Sequence, residues 1–173
     1  MNEQIILVNE QNRAIGISNK LIAHQQGLLH RAFSIFILRH QAEDTEVLLQ
    51  QRQTSKYHCG GLWTNTCCGH PSPGESILKA AEKRLQQEMG FTTTLKEVGN
   101  FIYKADLDNG LIEHELDHVF IGRTQLSDFN INPQEAMAFR WVKLSQLTAL
   151  IKAKPEDYTP WLHQATEIVL AHQ

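Results

Sequence analysis

The order of apolar segments predicts an α/β (α+β) fold, an α/β/α sandwich built on a mixed central β-sheet. Short runs rich in β-branched and aromatic residues recur along the chain, helical patterns stand among and after them, and no linker rich in proline or glycine divides the 173 residues. A chain of this length, 42% hydrophobic, can bury one core. We therefore expect a single domain over residues 1–173.

The first half of the chain is expected to be mostly strand. A hairpin around a polar turn is expected from QIILV at 4–8 and from residues 13–17. A strand covered on both faces is expected at 32–39, where AFSIFILR is continuously apolar. Its hairpin partner is expected at 47–52, where the chain reads VLLQQR, and residues 53–73 are expected to be irregular.

The best-marked helix is expected over residues 73–89. Ser72 is the expected N-cap and Pro73 stands at the first helical position. Glu75 completes a capping box, and Gly90 ends the helix. Further strands are expected at 94–104, 112–122 and 137–143, and amphipathic helices at 144–153 and 160–171.

Charge and composition exclude several classes of partner. The net charge is −3 and the pI is near 6.3, whereas nucleic acids and anionic membranes attract a concentrated basic field. No apolar run approaches the roughly 18–20 residues that span a bilayer, and the first residues lack the basic region of a signal peptide. We expect a cytoplasmic protein without a nucleic-acid or membrane partner. No heptad pattern calls for a second copy, so a monomer is expected.

Two adjacent cysteines and a histidine stand in TNTCCGHP at 64–71. A disulfide is disfavoured because the chain has three cysteines, Cys59, Cys67 and Cys68, and adjacent residues bridge only with strain. A structural zinc site is disfavoured because a second CxxC-like pair is missing from the sequence. The thiols are then either reactive or small buried side chains.

Glu88 falls on the buried stripe of the helix at 73–89, with Arg84 at its edge. The two residues can form an i,i+4 ion pair. Alternatively, Glu88 holds a metal ion at the floor of a pocket, because a buried carboxylate must be paired or coordinated. The helix pattern leaves both interpretations open.

Carboxylates and imidazoles stand at other positions that allow metal binding. In a strand, Glu113 and Glu115 project from the same face, either into solvent or onto a shared cation. His24 and His30 stand in a segment expected to be a loop that leads into a strand. With His70 they complete a set of nitrogen and oxygen donors suited to zinc, manganese or iron. Spacing alone does not separate this set from ordinary core and surface histidines.

From Gly69 onwards the spacing follows the frame of the Nudix box. Five residues separate Gly69 from Glu75, and seven more precede KRLQQEMGF. Lys83–Arg84 replace the Arg-Glu of the box, and Gln87–Glu88 replace its Glu-Glu. A Nudix hydrolase needs those glutamates to hold several Mg²⁺ ions and place the attacking water. The resemblance therefore implies that diphosphate hydrolysis is disabled, while one Mg²⁺ can still bind.

These departures point to one branch: the chain resembles the type 1 isopentenyl-diphosphate delta-isomerases of the Nudix superfamily. The pattern WTN-x-CCGHP together with Glu-x-Glu carries most of the resemblance, which extends over nearly the whole chain. The matching stretches are KLIAHQQGLLHRAFS (20–34), QRQTSK (51–56), GLWTNTCCGHPSPGES (61–76), KRLQQEMG (83–90), FIYKADLDNGLIEHELDHVF (101–120) and TPW (159–161).

The resemblance implies two metal sites and no flavin. Glu88 would hold the Mg²⁺ that carries the substrate diphosphate, with the Cys68 carbonyl nearby. A second divalent ion, Mn²⁺ or Zn²⁺, would be tightly held. Its ligands would be His24, His30, His70, Glu113 and Glu115.

The resemblance also implies the remaining roles. Cys68, Tyr103 and Glu115 would be the catalytic groups, and Trp161 would line the pocket. Cys67 is expected to pack in the core, since adjacent residues of an extended segment point to opposite sides. His114, His118 and Cys59 have no place in the family pattern. The diphosphate would be bound by Lys20, Arg52, Lys56 and Arg84.

The implied reaction converts isopentenyl diphosphate to dimethylallyl diphosphate through a tertiary cation. An unactivated alkene needs a strong, well-placed acid, a role that a metal-bound Glu115 beside Tyr103 can fill. Cys68 would act at the other end of the allylic unit, with its thiol pKa lowered by nearby cations. Which of the two groups is acid and which is base stays open. The alternatives are a Nudix-type diphosphate hydrolase and a metal-binding interaction module.

Overall fold

The computed structural model describes residues 3–173. Over these residues it has nine strands and four α-helices, with short 3₁₀ turns at Asp108–Gly110 and Pro155–Asp157. The strands are β1 (Gln4–Val8), β2 (Ala14–Asn19), β3 (His30–Gln41), β4 (Asp44–Arg52), β5 (Trp63–Thr64), β6 (Cys67–Gly69), β7 (Lys96–Asp106), β8 (Ile112–Arg123) and β9 (Ala136–Lys143); the helices are α1 (Lys20–Gln26), α2 (Ile77–Met89), α3 (Leu144–Ala153) and α4 (Leu162–Leu170).

The strands form one mixed sheet. β1 pairs antiparallel with β2, and β3 pairs antiparallel with β4 and with the short β6. β3 also runs parallel to β8 over nine residue pairs, from His30 opposite Glu115 to Leu38 opposite Arg123. β7 and β9 complete the sheet on β8 and β4. The predicted mixed sheet is confirmed.

Helices cover both faces of the sheet, as predicted. Alternate residues of β3 pack on opposite sides: Phe33 and Ile35 join the cluster that contains Leu85 of α2. Phe36 and Leu38 join the cluster that contains Leu147 and Leu162 of α3 and α4. This continuous burial explains why the strand reads as an unbroken apolar run. The α/β/α arrangement is confirmed.

The expected start of α2 is wrong. The helix begins at Ile77 after Ser76, and residues 72–75 form a turn. The Glu75 amide donates to the Ser72 carbonyl, and the Ser72 amide donates to the Glu75 carboxylate at 3.0 Å. Gly74 takes a positive φ of 79° that a helix does not use. The Ser72–Glu75 carboxylate bond is one half of a capping box, but the other bond is made by the Ser72 carbonyl rather than its hydroxyl and closes a turn.

Two segments expected to be irregular contain regular structure. α1 was expected to be a loop, but the Asn19 side chain caps it and Gly27 ends it with a φ of 65°. Residues 53–73 include β5 and β6, which attach to β4 and β3. The sheet imposes these strands, because two or three residues carry too little local pattern to indicate one.

Candidate active site

Five side chains converge at one end of the sheet. One ligand atom from each lies within 4.8 Å of the others, and all but one of the residues are buried. His24 is on α1, His30 begins β3, His70 follows β6, and both glutamates are on β8. We call this group the metal cluster. Its members are His24, His30, His70, Glu113 and Glu115.

Backbone pairing explains the convergence. The parallel register sets His30 opposite Glu115. Alternation along β8 puts Glu113 on the same face as Glu115. Glu113 is 1% exposed and Glu115 7%, so the solvated-face interpretation of this pair is wrong. The cap at Gly27 turns the chain from α1 into β3, which brings His24 alongside.

The histidine tautomers suit a metal site. His24 Nδ1 donates to the Lys20 carbonyl at 2.7 Å, and His30 Nδ1 donates to the Leu28 carbonyl at 2.8 Å. A carbonyl can only accept, so each ring presents its Nε2 lone pair to the cluster when neutral. Burial lowers the pKa of His24 to about 4, which keeps that ring neutral.

The contacts within the cluster fit a bound cation. His24 Nε2 lies 2.9 Å from Glu113 Oε1, and His70 Nε2 lies 2.9 Å from Glu115 Oε1. A lone pair and a carboxylate oxygen at this distance repel unless a proton or a cation stabilises them. Among residues 3–173, His30 Nε2 and Glu113 Oε2 have no hydrogen-bond partner. The donor set fits a divalent ion with mixed nitrogen and oxygen ligands.

The two glutamates titrate in opposite directions. Burial, together with the charge of Glu115, raises the pKa of Glu113 well above its usual value. Burial also opposes ionisation of Glu115, but the imidazoles of His30, 3.4 Å away, and of His70, at 2.9 Å, outweigh it and hold its pKa well below its usual range. Without an added cation, the pair therefore favours a single negative charge.

Tyr103 contacts the metal cluster directly. It pairs with Glu115 across β7 and β8, and its hydroxyl donates to Glu115 Oε2 at 2.9 Å. Burial and the neighbouring carboxylates raise the pKa of Tyr103 well above its usual value, so the group is a neutral phenol. A phenol and a carboxyl group are thereby joined in a buried site.

The two cysteines point to opposite sides of β6. Cys67 is buried in the core beside Leu85, as expected from the sequence. Cys68 donates to Asn65 Oδ1 at 3.3 Å and lies 3.6 Å from Ser34 Oγ. The cationic side chains of the protein do not by themselves lower its thiol pKa. Burial and the charge of Asp117 raise the pKa of Cys68 to about 12.

Asn65 connects the thiol to the aromatic side of the site, a role that the sequence did not indicate. Its Oδ1 accepts from Cys68 Sγ and, at 3.1 Å, from Trp161 Nε1. The Trp161 ring lies 6.1 Å from that of Tyr103, which is bonded to Glu115. A chain of contacts thus runs from Cys68 to Glu115.

In the protein alone, Glu88 forms the ion pair with Arg84 that was one of its two predicted roles. It is 4% exposed and forms the i,i+4 pair with Arg84 at 2.7 Å. Gln50 donates to its other oxygen at 2.7 Å. Burial raises the pKa of Glu88 despite these partners. Glu135 contacts both Arg84, at 3.2 Å, and Lys56. We call Lys56, Arg84, Glu88 and Glu135 the cation rim.

The other two expected diphosphate contacts lie elsewhere. Lys20 pairs with Glu3 at 3.0 Å, and a Glu3 oxygen lies 3.8 Å from His70 Nδ1. Arg52 donates to the His58 carbonyl at 3.3 Å, with its guanidinium 5.7 Å from the centre of the Trp161 ring. The four cations therefore form separate groups around the site.

Further residues line the site without a signal in the sequence. His58 Nε2 lies 3.5 Å from Glu113 Oε2, and Ser34 donates to Asp117 at 2.7 Å. The histidines expected to be incidental have other partners. His114 Nδ1 donates to the Gly27 carbonyl at 2.9 Å, and His118 Nδ1 lies 2.6 Å from Glu97.

Comparison with known proteins gives one consistent family. The model of the NUDIX domain matches residues 28–164. A Serratia proteamaculans isopentenyl-diphosphate Delta-isomerase is 50% identical over 161 residues, 93% of this chain and 88% of its own length. The Photorhabdus laumondii isopentenyl-diphosphate Delta-isomerase 2 is 49% identical over 161 residues, 93% of this chain and 89% of its own length.

Solved structures show the same fold at low sequence identity. The Deinococcus radiodurans protein DR0079 matches with a TM-score of 0.76 at 16% identity, covering 95% of this chain and 98% of its own. A MutT protein from Methanosarcina mazei matches with a TM-score of 0.66 at 17% identity, covering 84% and 96%. In the part of the chain that the structure describes, no helix is long and apolar enough to cross a membrane.

Proposed function

The chain belongs to the Nudix family and, within it, to the isopentenyl-diphosphate Delta-isomerases, and from this premise we propose how its residues carry out the reaction. The protein is an enzyme that isomerises isopentenyl diphosphate to dimethylallyl diphosphate. The hydrolase alternative is less well supported, because Lys83–Arg84 and Gln87 replace box residues that a hydrolase needs.

We propose that the metal cluster holds one divalent ion, Mn²⁺ or Zn²⁺, and that Glu88 and the Cys68 carbonyl hold Mg²⁺ with the substrate. When bound, these ions supply acidity to the Glu115 carboxyl group and neutralise charge on the diphosphate. Support comes from the mixed nitrogen and oxygen donors within 4.8 Å of one another and from the burial of Glu88.

In the proposed reaction a proton is added at C4 of the alkene and another is removed from C2. Glu115 and Tyr103 act at one end of the allylic unit, and the Cys68 thiol acts at the other. Because the reaction is reversible, each end serves as acid in one direction and as base in the other. The hydrogen bond between Tyr103 and Glu115 is the observation that carries this assignment.

Trp161 is proposed to stabilise the tertiary cation at C3. Its side chain is 3% exposed, and its Nε1–H is held by Asn65 beside the Cys68 thiol. An aromatic face stabilises a nearby cation by roughly 0.5–2 kcal/mol, more when water is excluded. The buried ring therefore lowers the barrier and keeps water from the cation.

The diphosphate is proposed to bind Lys20, Arg52, Lys56 and Arg84. Lys56 and Arg84 both contact Glu135, so the two cations already lie side by side. Charge-assisted hydrogen bonds from such groups to phosphate oxygens are short and strong. Binding at the cation rim would anchor the charged end of the substrate and leave its alkene to the interior.

We also propose that the enzyme works as a monomer in the cytoplasm. Cys59, Cys67 and Cys68 are all free thiols, as expected in a reducing compartment. Sedimentation of the purified protein at micromolar concentration tests the oligomeric state. A dimeric species that persists on dilution would refute the monomer.

Proton NMR tests the reaction directly. The protein is incubated with isopentenyl diphosphate, Mg²⁺ and Mn²⁺ or Zn²⁺ in D₂O, with the methyl and C2 proton signals followed over time. Deuterium in the methyl group of dimethylallyl diphosphate is the expected result. Release of inorganic phosphate would instead identify a hydrolase, and unchanged spectra would favour a metal-binding module.

The adjacent cysteines provide a matched pair of variants. Cys68→Ala is expected to lower turnover by about 10³-fold, within the range for general acid–base groups. Cys67→Ala is expected to keep turnover within a few-fold, because its thiol packs against α2. Both variants are checked for folding by circular dichroism. Equal losses in two folded variants would refute the choice of thiol.

A further inference from the structure

His58 lies against the metal cluster but outside its five members. It stands in the connection between β4 and β5, and it is 9% exposed. Its Nε2 lies 3.5 Å from Glu113 Oε2. The resemblance to the isomerase family gives this position no role, so its function must be argued from its contacts.

The position of His58 complements that of His24 around one carboxylate. His24 Nε2 lies 2.9 Å from Glu113 Oε1, whereas His58 approaches the other oxygen, Oε2. Within the described chain, Glu113 Oε2 has no hydrogen-bond partner, and His58 Nε2 faces it at 3.5 Å. His58 therefore faces the Glu113 oxygen that His24 does not contact.

Packing restricts the His58 ring. It stacks on His24 with ring centres 5.8 Å apart and planes at 30°. The Tyr57 ring meets it edge-on at 4.5 Å, and the Trp161 ring lies 6.4 Å away. A ring held by three aromatic neighbours keeps its nitrogen directed at the carboxylate, which is what an orienting residue requires.

We propose that His58 is a positioning residue of the metal cluster, which holds the Glu113 carboxylate toward the bound ion. The proposal rests on the proposed function, because it needs the metal cluster to bind a divalent ion. Removal of a residue that contacts and orients a metal ligand typically weakens metal affinity by about 10–100-fold. His58 is thus expected to control retention of the ion rather than substrate binding.

A second contact of His58 allows metal retention and substrate binding to be measured separately. Arg52, a proposed diphosphate contact, donates to the backbone carbonyl of His58 at 3.3 Å. A change of the His58 side chain leaves that carbonyl in place. Loss of the imidazole should therefore weaken metal binding. The KM for isopentenyl diphosphate, measured with excess metal, should stay within about twofold of that of the unmodified protein, because the contacts that bind the substrate are unchanged.

The test compares two buried histidines that each face one glutamate. His58→Phe keeps the stacked ring and removes its nitrogens. His118→Phe is the matched control, because His118 is 5% exposed and contacts Glu97 away from the metal cluster. Each full-length protein is loaded with Zn²⁺ or Mn²⁺, titrated with a chelator, and analysed for bound metal by mass spectrometry.

We expect His58→Phe to bind the ion about 10–100-fold more weakly and His118→Phe to match the unmodified protein. His58→Gln supplies an amide N–H that can also donate to Glu113, so it should recover most of the affinity. It also keeps the test usable if the phenylalanine variant does not fold. Thermal unfolding of the metal-free proteins checks that the fold is intact.

Two failures are distinguishable. Equal affinity in His58→Phe and the unmodified protein overturns the role of His58 and leaves the metal cluster standing. A KM of His58→Phe that rises in parallel with its metal loss also overturns the role of His58, because that result indicates a disrupted loop. If the unmodified protein itself retains no divalent ion, the proposed metal cluster is wrong as well.

Discussion

The metal cluster and the cation rim are two charged regions of one site, and they differ in how they are assembled. Side chains of the cluster are between 0% and 9% exposed. In the rim, Arg84 is 31% exposed, Lys56 22% and Glu135 21%, and only Glu88, at 6%, is as buried as the cluster. The cluster presents lone pairs and carboxylates to one another, whereas the rim pairs each cation with a carboxylate.

This difference indicates two kinds of ligand. Buried lone pairs and carboxylates that face one another need a permanently bound cation. Without it, the free-energy cost of removing them from water is not compensated. Pairs at the edge of a site exchange partners at little cost, since exposed ion pairs contribute only about 0–1 kcal/mol. The cluster is therefore suited to a resident ion and the rim to a substrate that enters and leaves.

The largest expected effect is in the metal cluster. Glu115→Gln keeps the shape of the side chain and removes its acidity, so turnover should fall by about 10⁴-fold, the upper end for an acid–base group. Metal content should fall as well, because a ligand charge is lost. The NMR assay and metal analysis measure the two effects. A loss of turnover below tenfold would exclude Glu115 from catalysis.

Glu88→Gln tests whether the two regions are independent. The tightly held ion should remain, and the KM for isopentenyl diphosphate should rise about 10–100-fold at fixed Mg²⁺, because a charge-assisted contact to the substrate complex is lost. The readout is metal analysis of the purified variant together with its KM at several Mg²⁺ concentrations. If the tightly held ion disappears from a folded variant, the two metal sites are one.

Metal affinity of the cluster should depend on pH. Burial disfavours the imidazolium form of His70, but the carboxylates of Glu115 and Glu3 outweigh it and raise its pKa. His70 therefore keeps its proton above the ordinary pKa of about 6.5, and that proton must leave before the ion binds. Glu113, whose pKa burial raises, must also lose its proton to the ion. Affinity should therefore increase by up to about a hundredfold per pH unit below both raised pKa values and about tenfold per unit between them, as up to two protons are released per ion.

Chelator competition at pH values between 6 and 9 measures this dependence. His24, with a pKa lowered to about 4, is already neutral over that range and adds nothing to the slope. A pH-independent affinity would show that neither His70 nor Glu113 loses a proton to the ion. Glu88→Gln serves as the control, and its slope should equal that of the unmodified protein.

The smallest effect is expected in the rim. Glu135 competes with the diphosphate for Lys56 and Arg84, so Glu135→Gln should lower the KM about two- to fivefold, as expected for a partly exposed ion pair. The change should shrink at high salt. Steady-state kinetics at two ionic strengths checks both points. A raised KM would mean that Glu135 assists binding rather than competing with it.

The strands were largely predictable, and helix boundaries were less so. Runs at 32–39 and 47–52 lie within β3 and β4 because their composition suits a buried sheet. The start of α2 was misplaced because the Ser72 amide donates to the Glu75 carboxylate in this turn as it would in a capping box. α1 was missed because only Ala23 and His24 of its seven residues are buried, too few to show a helical period.

Only the family resemblance predicted that the five residues of the metal cluster lie together. Their role in metal binding stays a prediction. The contact between His24 and Glu113 spans 89 positions of sequence, beyond the reach of any local pattern. Asn65 belongs to the motif that carries the resemblance but received no role from it, and His58 gave no signal because an imidazole in a loop is common. Only packing shows that they touch Cys68 and Glu113.

The sequence by itself determined which groups share a side: Glu113 with Glu115 on one face of a strand, and Cys67 opposite Cys68. Those relations follow from the two-residue repeat of extended chain, which needs no tertiary contact. The tertiary structure decided which side meets the site. The parallel pairing of β3 with β8 and the core under β6 direct Glu115 and Cys68 inward to the site and bury Cys67. Long-range pairing and burial make that choice, because they set which face of each strand is covered by the core.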